Sequence, residues 1–529
     1  MASGIWHLAC QTYALNLFQF HRSPKKTQFS FLSPKLSKSS SLALPQRPSF
    51  LSYLSKSPLA FAPLLLLSYS QSSQALTAQT SQVIHGSAPY FTYDGGRTRA
   101  TTTDDLLTIT LPNGTRVTPS INTTSAGNPI MLPAGSTFSD IRTFVPSPNF
   151  ASDLDTIVRA YQNWWGDDDG DGQGTYNVTA TGRLSISIID RYGNNVNYLS
   201  NRLLPCWGPY KMTLSVTNGS LKTRYGLPNR SDFPSGTATY YISSGAEICS
   251  VMPNLFYGGT GRIMGDSPQD TGHIGPAWDP KKGFKDRPST NPTLYSQNFP
   301  TTGADRLYFD LDIGGMDGSQ LTWSPVSHDG ITATVTWGRY SDNWLINSQP
   351  VTRVMLNGPK ASTSQINTTS PSSLNAPSLP HTFELEGRDR SGNVMIKYGF
   401  VLKQWFVNRD NRAATQPEHS SWCSRLGYRL PKIKDLTNHR CGITSAFPCY
   451  GGINGATPWG SKGFYMRHIG AGFFSEWGRM SDYVGANFVD SFYYWTDDVI
   501  NGSGFHVTLG GTVRKERTSY NYYGLCTTP

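Results

Sequence analysis

Segments that alternate apolar and polar residues recur along this chain and end at turn dipeptides. That period of two confines it to a sheet-built architecture. Arg183-Leu-Ser-Ile-Ser-Ile-Ile-Asp190 alternates, and so do residues 211–216, 307–313 and 331–336. Residues 104–117 alternate and then turn at Asn113-Gly114, a hairpin dipeptide. Helical periodicity is short wherever it occurs, the best case being residues 154–165. Composition points the same way. Charged residues are only 15%, while 51 Gly, 35 Pro, 27 Tyr and 13 Trp supply turns and aromatic cores. So aromatic a chain is not a disordered one. At 529 residues it is also too long for one ordinary domain, and about two to four are expected.

The formal charge of +10 is misleading. Residues 1–75 hold seven basic residues (Arg22, Lys25, Lys26, Lys35, Lys38, Arg47 and Lys56) and no Asp or Glu. Without them 38 basic residues face 35 acidic ones, a balance of +3. A nearly neutral body with no Lys/Arg stripe points to no nucleic-acid partner. The same 75 residues read as a leader. Their apolar run, Pro58-Leu-Ala-Phe-Ala-Pro-Leu-Leu-Leu-Leu67, is followed by Ser73-Gln74-Ala75, which fits small-x-small signal cleavage with Lys56 as the positive flank. The run is too short to span a membrane, and no other spanning candidate is found. Either Met1 lies upstream of the true start or the leader is extended. An organellar transit peptide shares the composition, and the cysteines argue against it.

Seven cysteines occur, at 10, 206, 249, 423, 441, 449 and 526. Removing the leader removes Cys10 and leaves an even six, as expected of an oxidised, exported protein. With no C-x-x-C pair, a zinc ribbon or thioredoxin-type site is excluded.

One motif occurs twice. Ser185-Ile-Ser-Ile-Ile-Asp-Arg-Tyr-Gly-Asn-Asn-Val196 matches Phe383-Glu-Leu-Glu-Gly-Arg-Asp-Arg-Ser-Gly-Asn-Val394. Both read as strand, Asp-Arg-x-Gly-Asn turn, strand. Asp190 and Asp389 supply a capping oxygen, and Gly193 and Gly392 a positive φ. Two immunoglobulin-like β-sandwich modules are therefore expected, at 80–260 and 304–415. A Gly/Pro-rich linker or long loop at 261–303 separates them, and an exposed Ser/Thr/Pro loop occupies 361–380.

From Ser420 the texture changes. Leu426-Gly-Tyr-Arg-Leu-Pro-Lys-Ile-Lys-Asp-Leu436, Phe473-Phe-Ser-Glu-Trp-Gly-Arg-Met-Ser-Asp-Tyr483, Tyr494-Trp-Thr496 and Gly504-Phe-His-Val-Thr-Leu-Gly-Gly-Thr-Val513 resemble a C-type-lectin-like domain. The resemblance implies a short helix opened by the first segment, and aromatic core strands from the second and third. With Ser87-Ala-Pro-Tyr-Phe-Thr-Tyr-Asp-Gly-Gly-Arg-Thr-Arg-Ala100, Trp164-Trp-Gly-Asp-Asp-Asp-Gly-Asp-Gly172 and Tyr398-Gly-Phe-Val-Leu-Lys-Gln-Trp-Phe-Val-Asn408, nearly everything after residue 80 resembles the adhesion module of invasin/intimin-type bacterial adhesins, the invasin E type. The fold class so implied is mostly β, with immunoglobulin-like sandwiches followed by a C-terminal C-type-lectin-like α+β domain at 418–529. Four terminal cysteines allow three pairings; the resemblance implies a Cys423–Cys526 bridge joining that domain's ends and a small Cys441–Cys449 loop, and Cys206–Cys249 is the third expected pair. It also implies an exported, non-enzymatic adhesin, secreted or on the surface of a Gram-negative bacterium, that binds a host-cell surface protein or glycan. One departure is that such adhesins carry a membrane β-barrel and repeated immunoglobulin-like domains ahead of this module.

Asp167-Asp-Asp-Gly-Asp-Gly172 is the sharpest local signal. Asp167, Asp169 and Asp171 fall at positions one, three and five of a calcium loop. Gly172 makes the turn, and the backbone carbonyl of Gln173 stands at position seven. Val178 stands at position twelve, so the bidentate Glu of an EF-hand is missing. The alternative is an acidic, solvated turn. The sugar-binding Glu-Pro-Asn, Gln-Pro-Asp and Trp-Asn-Asp runs of calcium-dependent lectins are absent from 420–529, so a calcium-dependent lectin is the second reading. Tyr520, Tyr522 and Tyr523 are candidates for a binding edge. A secreted hydrolase using the Asp167–Asp171 carboxylates is a third. Gly265-Asp-Ser267 echoes an esterase nucleophile, with His273 six residues on, but it lies in a Gly/Pro stretch without the strand-to-helix context a serine nucleophile requires. The seven Asn-x-Ser/Thr sequons, at Asn113, Asn122, Asn177, Asn218, Asn229, Asn367 and Asn501, are expected by chance in so Asn/Ser/Thr-rich a chain.

Overall fold

The repeated motif forms the same turn twice, atom for atom. The Asp190 carboxylate accepts the backbone N–H of Tyr192 and of Asn194 (2.8 and 2.9 Å) and the Asn194 side-chain amide (2.9 Å). Asp389 does the same for Ser391, Asn393 and the Asn393 amide (2.9, 2.9 and 3.1 Å). Gly193 and Gly392 sit at φ +88° and +85°, which a Cβ would disfavour. Each turn follows a strand that alternates buried and exposed residues, Arg183–Ile189 and His381–Arg388.

A computed structural model describes residues 85–529, apart from 162, 170–176, 260–272, 286–290, 346–348, 442–451, 461–464 and 491–492. Strand exceeds helix, 38% against 14%, so the mostly-β class read from the alternation holds. In the first sandwich a five-stranded sheet runs Ile130–Met131, Gly236–Ser243, Tyr210–Val216, Arg183–Ile189, Ala151–Asp153. A three-stranded sheet, Arg230–Phe233, Gly219–Lys222, Thr179–Thr181, belongs to the same module. Inward residues of both, such as Ile186, Met212, Leu214, Leu221 and Phe233, share one hydrophobic cluster that ends at Ile242.

A second cluster begins at Ile248 and runs without a break to Cys526. The strand Glu247–Met252, inside the range expected for the first module, pairs instead with Tyr308–Gly314 in a seven-stranded sheet. Part of the expected linker is built into that sheet too. Trp278–Asp279 and Gly283–Lys285 form a hairpin on Glu247–Met252, and Trp278 and Phe284 are buried against each other, 4.8 Å between ring centroids. The 361–380 stretch is largely exposed, as expected, but it is tied to the fold. It holds the short helix Thr363–Asn367, the Trp422 indole donates to Gln365 O (2.8 Å), and the Tyr428 hydroxyl donates to Asn375 O (2.9 Å). The short helix Thr103–Leu106 likewise replaces the start of the expected 104–117 hairpin. Thr102 and Asp105 cap it reciprocally, and only Ile109–Thr110 and Arg116–Val117 pair across the Gly114 turn.

The terminal sheet runs Thr302–Ala304, Gln404–Ala414, Tyr522–Thr527, Tyr493–Ile500, Ser503–Thr508, Val513–Arg517. Gln404–Ala414, which closes the expected second module, pairs with Tyr522–Thr527 at the chain end, so one sheet spans residues 302–527. The helix Gln416–Leu426 packs on this sheet, begun by a Thr415/Glu418 capping box and ended by Gly427 at φ +88°. The helix Ile433–Leu436 fits the expected opening segment. Phe473–Trp477, expected as a strand, is a helix. It is held by Glu476, fully buried, whose carboxylate accepts the N–H and hydroxyl of Thr301 (3.2 and 2.6 Å), those of Thr302 (3.0 and 2.5 Å) and the Gly470 N–H (2.7 Å).

Candidate interaction face

Antiparallel register decides which side chains of the terminal sheet share a face. Trp495 pairs with His506, and His506 with Arg514, so these three stand side by side on neighbouring strands. Tyr522 joins them. Its ring lies 4.6 Å from His506, 5.1 Å from Trp495 and 5.1 Å from Tyr493. Tyr520, 49% exposed, stacks on Tyr522 at 6.4 Å and 13°. The exposed Arg514 guanidinium lies over Tyr493, 5.7 Å from its centroid. The face is therefore graded, with Trp495 and His506 buried beneath, Tyr493 and Tyr522 half-buried, and Tyr520 and Arg514 at the water.

The floor is stiff and uncharged. Burial, with Arg514 adding to it, pushes His506 down to about 3, so its ring is neutral at every physiological pH. His419 lies behind the same strand. Its Nε2 donates to Tyr522 O (2.9 Å), its Nδ1 accepts from Arg409 (3.3 Å), and burial first, then Arg409, holds it near 4. Two neutral rings thus brace Tyr522, one touching its side chain and one its backbone. The indole N–H of Trp495 donates to Tyr520 O (3.3 Å) and anchors the exposed tip. Such a surface can offer aromatic area and one guanidinium at little conformational cost, the chemistry of interface hot spots.

The chain is similar to solved structures of invasin and intimin. The invasin structure, titled a bacterial integrin-binding protein, is 11% identical and matches 66% of this chain and 50% of that one, at a TM-score of 0.31. This chain thus spans about half its length. A mutant intimin from EHEC O157:H7 is 13% identical over 47% of this chain and 92% of that one, TM-score 0.24. A 282-residue C-terminal fragment of intimin, in complex with the intimin-binding domain of Tir, is 10% identical over 66% and 93%, TM-score 0.28. No family profile and no curated protein matches the sequence.

The three tyrosines expected as one edge do not share one face. Tyr522 and Tyr523 are neighbours on a strand and face opposite ways. Tyr520 and Tyr522 belong to the graded face, whereas Tyr523 packs toward the buried Tyr494, 6.0 Å away. Tyr493, His506 and Arg514 were missed by the sequence reading, which had no strand register to align them. Two disulfides are as expected, Cys206–Cys249 and Cys423–Cys526, each with Cα atoms 5.4 Å apart. Cys441–Cys449 falls outside the described residues at Cys449.

Of the calcium-loop residues, Asp171 and Gln173 lie outside the described residues. Asp169 accepts the Ser87 N–H (2.9 Å), and Asp167 is buried. Asp168, at a non-ligand position, pairs with Arg99 (2.5 Å) and accepts the Tyr90 hydroxyl (3.0 Å). Among the described residues no three His, Cys, Asp or Glu side chains converge as a metal site. Gly265 to Ser267 also lie outside the described residues. His273, buried, shares a 2.9 Å hydrogen bond with Tyr465 O through its Nδ1, a packing role.

Proposed function

We propose that this chain is an exported adhesin of a bacterial surface, without catalytic activity, which binds a host-cell surface protein through the Tyr493/Tyr520/Tyr522/Arg514 face. The observation that carries the reading is the grading of that face, with exposed Tyr and Arg over a buried, neutral Trp/His floor. The Cys423–Cys526 bridge fastens the sheet behind it. The resemblance of the 87–100, 164–172, 398–408 and 426–513 segments to invasin/intimin-type adhesins supports the same reading. Among the described residues no helix is long and apolar enough to cross a membrane.

The test is binding of the whole chain to intact host cells, by flow cytometry, with Tyr520→Ala and Arg514→Ala beside the unsubstituted protein. Each single change is expected to weaken binding about tenfold, or about 1.4 kcal/mol, with the circular dichroism spectrum unchanged. Undiminished binding by the double variant rejects this face. A glycan array run in parallel detects a sugar partner. The 418–529 fragment is unsuitable, because it lacks the paired strand Gln404–Ala414 and half of a continuous core.

Calcium at Asp167, Asp169 and Asp171 is a further part of the proposal. Because sites of this chemistry bind at about 10⁻⁴–10⁻³ M, millimolar calcium is expected to raise the melting temperature by a few degrees. Asp169→Asn should abolish that rise, and an identical response in that variant removes calcium from the account.

A further inference from the structure

The first sandwich is not closed. A cavity of about 400 Å³ enters between its sheet and the 138–147 segment. Phe138, Ile141, Val145, Ile186, Leu199 and Met212 wall it, each 7% exposed or less and each a member of the module's core. Tyr93 and Trp164, half-buried and 6.1 Å apart, form one side. Native cores pack as densely as organic crystals, and voids much larger than a water molecule are rare in them. A cleft of several hundred Å³ with apolar walls and a few convergent polar groups is instead the usual form of a small-molecule site.

The rim chooses the ligand. Arg142 stands there with its backbone fixed, its N–H and C=O both bonded to Thr110 at 2.9 Å. Its side chain is exposed and takes part in none of the described ion pairs. Exposed Ser139 and Ser147 also line the cavity, while the Thr143 hydroxyl is held by Val145 O (3.2 Å). No Asp or Glu lines the cavity. The nearest in sequence, Asp140, accepts the Thr137 N–H instead (2.7 Å). An arginine at the mouth of a cleft whose base is formed by core side chains fits a carboxylate head on a small hydrocarbon body. A cation finds no counter-charge there, and a sugar would leave its hydroxyls unpaired against the walls.

We propose that this cavity binds a small amphipathic monoanion, its apolar body among Phe138, Ile186, Leu199 and Met212 and its carboxylate on Arg142. The site is independent of the adhesive face, in a different module with a different core, so the two stand or fall separately.

The probe is decanoate, with decan-1-ol and decyltrimethylammonium as its neutral and cationic counterparts. Each is titrated into the whole chain by calorimetry, following Trp fluorescence in parallel. One decanoate per chain is expected, with decanol at least tenfold weaker and the ammonium weaker still. Arg142→Gln, at an exposed position, should weaken decanoate about tenfold and leave decanol unchanged. Leu199→Phe should fill the well and abolish both. No saturable decanoate binding at low millimolar concentration overturns the proposal. So does decanol binding as tightly as decanoate, or decanoate binding unchanged by Arg142→Gln.

Discussion

At the scale of single residues, His419 and His506 make the terminal sheet sensitive to acid. Both folded-state values, about 4 and about 3, lie below the ordinary histidine value near 6.5. Between those limits the unfolded chain takes up protons that the folded chain refuses. Their contribution to stability is therefore full above about pH 6.5 and falls as the pH drops toward the folded values, by up to about 1.4 kcal/mol per pH unit for each ring. His506→Phe is expected to lessen the drop in melting temperature between pH 7 and pH 5. An unchanged drop would mean that His506 is protonated in the fold. Buried Glu476, whose carboxyl is pushed up by burial, acts in the opposite sense, and the comparison of variant with parent cancels it. Legibility at this scale depends on range. The Asp190 and Asp389 turns could be read because donor and acceptor lie within four residues. His506 could not, because its surroundings come from strands at 493–500, 513–517 and 522–527.

At the scale of elements, alternation was a sound guide to strands and a poor one wherever aromatics cluster. Phe473–Trp477 is rich in residues that favour strands, yet it is a helix, in which the buried Glu476 takes its hydrogen bonds from the distant Thr301 and Thr302 that a local reading cannot see. Trp278 and Phe284 lay in a Gly/Pro-rich stretch whose composition resembles a tether, and pairing with residues 247–252 makes it sheet. The helix Gln416–Leu426 was overlooked because its buried side, Gln416, His419, Trp422, Cys423 and Leu426, mixes polar with apolar residues. Its ends were nonetheless in the sequence, Thr415-x-x-Glu418 at one and Gly427 at the other. Gly427→Ala forces a Cβ into φ +88° and is expected to cost about 1 kcal/mol in chemical denaturation. A neutral result would mean that the helix ends otherwise in solution.

At the scale of the whole molecule, two cores are joined at one seam. Cys206 in the first module bridges Cys249 in the second. Arg191, in the first Asp-Arg-x-Gly-Asn turn, crosses the seam to Asp312 (2.7 Å) and to the carbonyl of Ile313 (3.0 Å), both half-buried or better. The two bridges constrain loops of different size, with sequence separations of 43 and 103 residues. Opening Cys423–Cys526 is expected to be the more destabilising, at about 4.7 kcal/mol against about 4.0 kcal/mol for Cys206–Cys249 in the chain-entropy account. Cys423→Ala/Cys526→Ala should therefore unfold at lower denaturant concentration than Cys206→Ala/Cys249→Ala. The reverse order would assign the larger share of stability to the seam. The mostly-β class and two of the cysteine pairs, Cys206–Cys249 and Cys423–Cys526, were legible in the sequence. The boundaries at 260 and 415 were not, because strand exchange between modules leaves no local mark.

The most direct test of the adhesive face is hydroxyl-radical labelling of the whole chain, free and bound to host cells, read residue by residue by mass spectrometry. Protection on binding is expected at Tyr520, Tyr522 and Tyr493, with little change at exposed Tyr198 and Tyr225 of the first sandwich. Protection confined to Tyr198 and Tyr225, with Tyr520 labelled as in the free protein, would contradict the account.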